Sequence, residues 1–368
     1  MRILIPAWSF YPSQEGGPSN ALYWLASGLA KVGYAVRVVA TNRCIGPGVV
    51  KENTWTQLNG FEVIYATVDK QEEYLKKEVE ACNVLIANGV CSLRNFRMNR
   101  RALHQGKKVI LSPRGELLDS AILHKGKLYG WMKKMMFRWM KATYSDKVVY
   151  HATSSEEMES IHKYMGKNAK VKLIPNFMIL PERVACVKSD TDYLLYVGRL
   201  NPIKNIDVIL EGLAKSSLFR GDDCKFKIAG ETGGEHYRSL VAQAKGMGLA
   251  DKVEFLGLVT GEEKERLYAS AKCVLLMSKS ENFGNVIVEA LSQGTPAIAS
   301  TGTPWQQLDE KGAGWWVAAE PEKVAECVDS LLSLNADEYA VMRERAYAYS
   351  REFDIYTNIE KWEEVLKS

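Results

Sequence analysis

The chain has 368 residues, 46% of them hydrophobic and 25% charged, a balance that excludes a disordered or fibrous polypeptide and suits about two globular domains. A net charge of +4 hides an imbalance, because residues 1–180 carry 26 Lys and Arg against 14 Asp and Glu, and residues 181–368 carry 22 against 30. No run of about 18 apolar residues occurs, which excludes a helix that spans a bilayer.

The opening MRILIPA is a strand-like run with no charged leader or cleavage site, so the expected location is the cytoplasm. The loop SFYPSQEGGPSN follows, and a helix is expected from about Pro18 to Val32, stopped by Gly33. Further strand-like runs are AVRVVAT, FEVIYATV (61–68), VLIAN (84–88), KVILSP (108–113) and KVVYHATS (147–154), with helical stretches between most of them. Strand and helix in alternation predict a parallel sheet covered on both faces.

The polar segment 180–192 reads as a linker, after which the pattern restarts with YLLYVG (193–198), KFKIAG (225–230), KVEFLG (252–257), KCVLLMS (272–278) and TPAIAS (295–300). The fold class expected is α/β, with two Rossmann-like, doubly wound parallel-sheet domains facing a central cleft. The expected boundaries are 1–182, 183–350 and a helix at 351–368 that crosses back to the first domain.

Seven cysteines, at 44, 82, 91, 186, 224, 273 and 327, are odd in number and form no C-x-x-C pair, so they read as reduced thiols. Histidines and cysteines show no metal-ligand spacing, and Asp190-Thr191-Asp192 precedes a strand and reads as solvated turn residues. No metal or cofactor is expected.

Three constellations carry chemistry. In SKSENFGNVIVEALSQGTPAIAS (278–300), Glu281 lies in the loop after a strand. A helix is expected from Phe283 or Gly284 to Gly294, with Val286, Ile287, Ala290 and Leu291 facing the core. Free N–H groups at its start can bind sugar hydroxyls, and Gly284 allows close approach. In YVGRLNPIKNIDVIL (196–210), Arg199 and Lys204 follow a strand and suit a diphosphate, standing in for a divalent metal as charge builds on the leaving group. The third, EGGPSN (15–20), places Gly16 and Gly17 before a helix, where phosphate is often cradled.

Together these residues resemble the family 4 glycosyltransferases, retaining enzymes of the GT-B fold. The most specific parts are E-x7-E (Glu281 to Glu289) and G-R-x-x-x-x-K-N (Gly198 to Asn205). The resemblance implies that Glu281 binds the donor sugar, that the backbone of Asn282, Phe283 and Gly284 binds sugar and pyrophosphate, with Asn285 beside them, and that Glu289 holds the ribose. It further implies that Arg199 and Lys204 hold the diphosphate under Gly16 and Gly17, and that Gly257 and Val259 lie against the nucleobase. Where many relatives have a histidine near the donor sugar, the segment LSPRGELLDSA has Arg114; where many have a glutamate after a proline, this chain has Trp305. Both are expected to contact acceptor or sugar.

Two stretches of the first domain are basic. Arg94, Arg97, Arg101 and His104 recur at helical spacing, as do Lys127, Lys134, Arg138 and Lys141 within 125–147, beside Trp131, Met132, Met135, Met136, Phe137, Trp139 and Met140. A helix with basic and aromatic faces suits anionic lipid, and no nucleic-acid motif accompanies it. The expected activity is sugar transfer from a nucleotide sugar, UDP-linked in preference to GDP-linked, to a lipid-linked glycan in bacterial surface polysaccharide synthesis at the inner face of the cytoplasmic membrane. A phosphorylase, a sugar-nucleotide epimerase and a catalytically silent binding module are the alternatives.

Overall fold

The computed structural model describes residues 1–13, 17–123, 127–144, 146–185 and 192–368. They form two compact units, one of Met1–Ile179 with Asp354–Ser368, the other of Leu180–Phe353.

The first unit carries β1 (Arg2–Ala7), α1 (Gly17–Lys31), β2 (Ala35–Thr41), β3 (Trp55–Leu58), β4 (Phe61–Ala66), α2 (Gln71–Ala81), β5 (Val84–Asn88) and α3 (Leu93–His104). It continues through β6 (Lys108–Ser112), α4 (Asp119–Leu123), α5 (Lys127–Tyr144), β7 (Val148–Ala152), α6 (Ser155–Met165) and β8 (Lys170–Leu173). The sheet order is β3-β4-β2-β1-β5-β6-β7-β8. Side chains alternate between its faces: Ile3, Ile5, Val36 and Val38 enter one core, Leu4, Val39, Leu85 and Val109 the other. The sheet departs from the all-parallel expectation at one edge, where β3 pairs antiparallel with β4. The WTQL strand is short and half polar, so nothing in its pattern separates it from a loop.

The second unit carries β9 (Tyr193–Val197), α7 (Ile206–Lys215), α8 (Ser217–Gly221), β10 (Lys225–Ala229), α9 (Glu235–Gly246), β11 (Val253–Gly257), α10 (Gly261–Ser270) and β12 (Cys273–Leu276). Then come α11 (Asn285–Ser292), β13 (Ala297–Ser300), α12 (Gln307–Glu310), β14 (Gly314–Val317), α13 (Pro321–Leu332) and α14 (Ala336–Ser350). Its sheet is parallel throughout, in the order β11-β10-β9-β12-β13-β14.

The chain then rejoins the first unit through α15 (Ile355–Asn358) and α16 (Glu360–Lys367). Ile355, Ile359, Trp362, Val365 and Leu366 are buried in the core that holds Ile3 and Val36. Ile355 also donates its backbone N–H to the carbonyl of Met178.

Candidate active site

In each unit the strand order reverses at one place, between β1 and β5 and between β9 and β12. The loops leaving such neighbouring strands diverge to opposite faces of the sheet and open a crevice at the strands' carboxyl ends.

In the second unit those loops hold Arg199 and Lys204 after β9, and Glu281 after β12. Residues Pro202–Lys204 form a single 3₁₀ turn. The Asn201 side chain accepts from the Ile203 N–H at 3.0 Å, and Asn205 closes the turn in the left-handed region at φ 50°. Lys279 N–H donates to the Ile203 carbonyl at 2.8 Å, tying the two loops together. Lys204 Nζ consequently donates to Glu281 Oε1, an oxygen that also accepts from Ser278 Oγ at 2.8 Å. The two charged side chains are only 19% and 15% exposed. The Glu281 N–H is taken by the Gly302 carbonyl at 2.9 Å. Gly302 is required there, since a Cβ would lie 2.5 Å from the carbonyl oxygens of Ser278 and Lys279.

Arg199 is exposed. Its carbonyl accepts from the Tyr196 hydroxyl at 2.9 Å. Burial pushes that phenol well above its ordinary range; the Glu281 carboxylate pushes it further, and Arg199 pulls it back. Tyr196 therefore feels both Glu281 and Arg199, a link that the strand pattern YLLYVG does not reveal. Behind Lys204, the buried Oδ1 atoms of Asn205 and Asp207 lack a hydrogen-bond donor among the described residues.

The helix α11 begins at Asn285, later than expected, and ends at Ser292. Gly284 precedes it with φ 82°, a conformation that favours glycine, and a Cβ there would meet Leu276 at 3.0 Å. Asn282 lies partly exposed in the same loop. The N–H groups of Phe283 and Gly284 make no hydrogen bond among the described residues. Val288, with Ile287, Ala290 and Leu291, is buried, whereas Val286 is only partly buried. Glu289 is engaged through both oxygens, by Lys264 at 3.0 Å and by the Tyr268 hydroxyl at 2.8 Å. Neither partner could be read from the E-x7-E spacing, since both lie on α10.

Trp305 does not stand at a surface where acceptor or sugar could touch it. It is 1% exposed, packs among Phe283, Tyr349 and Phe353, and donates its indole N–H to the Phe283 carbonyl. Gly257 ends β11 with φ 77°, and its carbonyl accepts from the N–H of Gly230 at the end of β10. Val259 is buried two residues on, while Leu258 is exposed.

In the first unit Gly17 opens α1, whereas Gly16 lies outside the described residues, as do Asp190, Thr191 and the Lys127 side chain. Asp192 pairs with Lys272. Arg114 follows β6 and donates through Nε to Asn88 Oδ1 at 3.2 Å and through Nη1 to Asn176 Oδ1. Next to it His151 is 1% exposed, with Nδ1 2.7 Å from Ser112 Oγ and Nε2 2.8 Å from the Ile174 carbonyl. A carbonyl only accepts, so Nε2 carries the proton and Nδ1 accepts from the serine. Burial, with the neighbouring Arg114 charge adding to it, pulls His151 down to about 3, so the ring is neutral.

The family model for glycosyl transferases group 1 matches residues 183–349. An uncharacterized glycosyltransferase of Methanocaldococcus jannaschii is 34% identical over 149 residues, 40% of this chain and 37% of the relative. The chain thus spans little more than a third of the length of the curated relatives it matches. Sucrose-phosphate synthase from Thermosynechococcus elongatus superposes with a TM-score of 0.73 at 17% identity, covering 99% of this chain and 98% of that one. Anabaena HepE, solved in complex with UDP and glucose, gives 0.71 at 17% identity, covering 100% and 99%. The fold is GT-B.

Proposed function

We propose that this chain, whose residues 183–349 match the family model for glycosyl transferases group 1, is a retaining, metal-independent transferase that moves a sugar from a UDP-sugar to a lipid-linked glycan of a bacterial surface polysaccharide. The observation that carries this reading is the Lys204–Glu281 pair, largely buried at the strand-order reversal of the second sheet, with Arg199 in the same loop as Lys204 and its carbonyl held by the Tyr196 hydroxyl. Lys204 and Arg199 supply fixed positive charge for a departing diphosphate, and Glu281 accepts from hydroxyls of the sugar. The N–H groups of Phe283 and Gly284, without a hydrogen bond among the described residues, add donors at the start of α11.

The acceptor hydroxyl approaches the anomeric carbon from the leaving-group side. The bond from carbon to phosphate oxygen breaks as the bond to the acceptor oxygen forms, and the acceptor proton passes to the departing phosphate. No dedicated side-chain base is needed. His151 is unsuited to that task, since both ring nitrogens are already bonded inside the first unit.

A UDP donor is favoured because the structural relative HepE was solved with UDP and glucose. A lipid-linked acceptor is favoured by α5, on which Trp131, Met132, Met135 and Trp139 are exposed beside Lys134 and Arg138. Such a face suits peripheral contact with anionic lipid. No described helix is long and apolar enough to cross a membrane.

The test is to incubate the purified protein with UDP-, GDP-, ADP- and dTDP-sugars in EDTA. Release of UDP from one donor, undiminished by the chelator, is expected. Release from no donor, with or without added acceptors, would overturn the reading, and release that EDTA abolishes would overturn metal independence.

A further inference from the structure

Arg114 sits where a positive charge is hardest to explain structurally. It lies beyond β6 and holds Asn88, the last residue of the neighbouring β5, so it stands at the carboxyl ends of the first sheet, one strand from the order reversal. Its backbone is left-handed, with φ 55°, in a region that bulky side chains avoid. Its two hydrogen-bond partners are neutral amide oxygens, and no carboxylate forms an ion pair with it among the described residues.

Acids do lie close by, but the hydrogen bonds their oxygens accept come from other groups. Glu157 is fully buried; one oxygen accepts from the Gly115 N–H at 2.5 Å, the other from the N–H and hydroxyl of Thr153 at 2.8 Å each. Glu116 accepts from the backbone N–H groups of Val90 and Cys91, both at Oε2, and makes no ion pair with Arg114 among the described residues. The adjoining His151 is neutral and fully bonded, and the Trp362 ring packs against it at 4.5 Å. Burial pulls Arg114 down to about 10, partly offset by the field of Glu157, so it remains charged at neutral pH.

The result is a guanidinium that is oriented but not neutralised. Holding a partly buried charge without a counter-ion is costly, and natural sequences keep such groups where a ligand supplies the missing charge. The donors have direction. Guanidinium N–H groups only donate, so both asparagines must turn their oxygens toward Arg114 and their NH₂ groups away. Arg114 Nη2 and the Asn176 NH₂ then remain without a hydrogen-bond partner among the described residues, and both residues are partly exposed.

We propose that Arg114, with Asn176 beside it, is a specificity-determining site for an anionic group, a carboxylate or a phosphate, carried by the acceptor. The assignment to an acceptor rests on the sugar-transfer reading above; the preference for an anion does not. A neutral sugar hydroxyl could accept from the same donors, but only an anion cancels the charge and takes two parallel N–H bonds from the fork.

The experiment is calorimetric titration of the full chain with methyl β-D-glucuronide, glucose 6-phosphate and the neutral methyl β-D-glucoside, with and without saturating UDP. At least one anionic probe is expected to bind about tenfold or more tightly than the glucoside, a size typical of one charge-assisted contact. The tighter of the two identifies carboxylate or phosphate. Arg114→Gln should erase the preference. Arg114→Lys, which keeps the charge and loses the fork, should leave part of it, and it serves as the readout should the glutamine variant not fold. Equal affinity for all three probes, or a preference unchanged in the folded variants, overturns the proposal. If the anion preference holds while UDP does not bind, the sugar-transfer reading falls and this one stands; if UDP binds and the preference is missing, only this one falls.

Discussion

Replacing Lys204 with methionine separates a binding group from a structural counter-ion. In the wild type Lys204 and Glu281 neutralise one another at 19% and 15% exposure, and Ser278 gives Glu281 one further bond. Breaking a fully buried pair costs about 3–5 kcal/mol, and residual exposure lowers that to roughly 2 kcal/mol here. A domain the size of Leu180–Phe353 loses about 2–4 °C per kcal/mol, so the melting temperature should fall by roughly 4–8 °C. Adding Glu281→Gln removes the stranded charge and should restore most of that loss. Affinity for UDP should behave differently. One charge-assisted phosphate contact is worth about 1.5–3 kcal/mol, so Lys204→Met should weaken UDP binding by about ten- to a hundredfold, and the double variant should stay weak. Thermal denaturation and calorimetric titration of the four proteins in the cycle give both quantities. If the double variant regains UDP affinity together with stability, or if Lys204→Met binds UDP like the wild type, Lys204 is only a counter-ion and the diphosphate assignment is wrong.

Acid should destabilise the first unit through His151. Its folded value is lowered from 6.5 to about 3, so its contribution is complete above about pH 6.5 and is lost as the pH falls toward 3, with a slope of up to about 1.4 kcal/mol per pH unit. Denaturant unfolding of wild type and His151→Gln between pH 7.5 and 4.5 should give converging stability curves, and parallel curves would contradict the neutral assignment. On α5, reversing Lys134 and Arg138 to glutamate should cut sedimentation with phosphatidylglycerol vesicles severalfold at low salt, each cation being worth about 1 kcal/mol near such a surface; unchanged sedimentation would remove the proposed membrane contact.

The strands most legible in the sequence are the central ones, buried largely on both faces. Runs such as AVRVVAT and KCVLLMS announce themselves because most of their side chains meet a core. The edge strands β3 and β8 went unseen for the opposite reason: WTQL and KVKL carry polar side chains toward solvent and look like loops. At the site, residue types were legible and their partnerships were not. Lys204 and Glu281 each stood out by position after a strand, yet their pairing spans 77 residues and depends on the Ile203–Lys279 backbone bond. Glu289 is expected to hold the ribose by resemblance, and nothing in its own helix announces Lys264 and Tyr268. The same blindness to long-range contacts hid the bonds that occupy both oxygens of Glu157, and with them the lack of an ion pair at Arg114 among the described residues.

Trp305 shows how a departure from a family pattern can act at one remove. As a large aromatic after a proline, it fits a ligand platform and a core residue equally well; Tyr349 and Phe353, more than forty positions later, decide for the core. Its indole N–H holds the Phe283 carbonyl, and its ring lies 3.3 Å from where a side chain at Gly284 would begin. Both contacts fall on Phe283 and Gly284, whose N–H groups make no hydrogen bond among the described residues. Once the Phe283 carbonyl is pinned into the core, the peptide plane that carries the Gly284 N–H is pinned with it, since the peptide bond is planar. Trp305 therefore fixes the direction of the Gly284 N–H from within the core, through the geometry of the Phe283–Gly284 peptide.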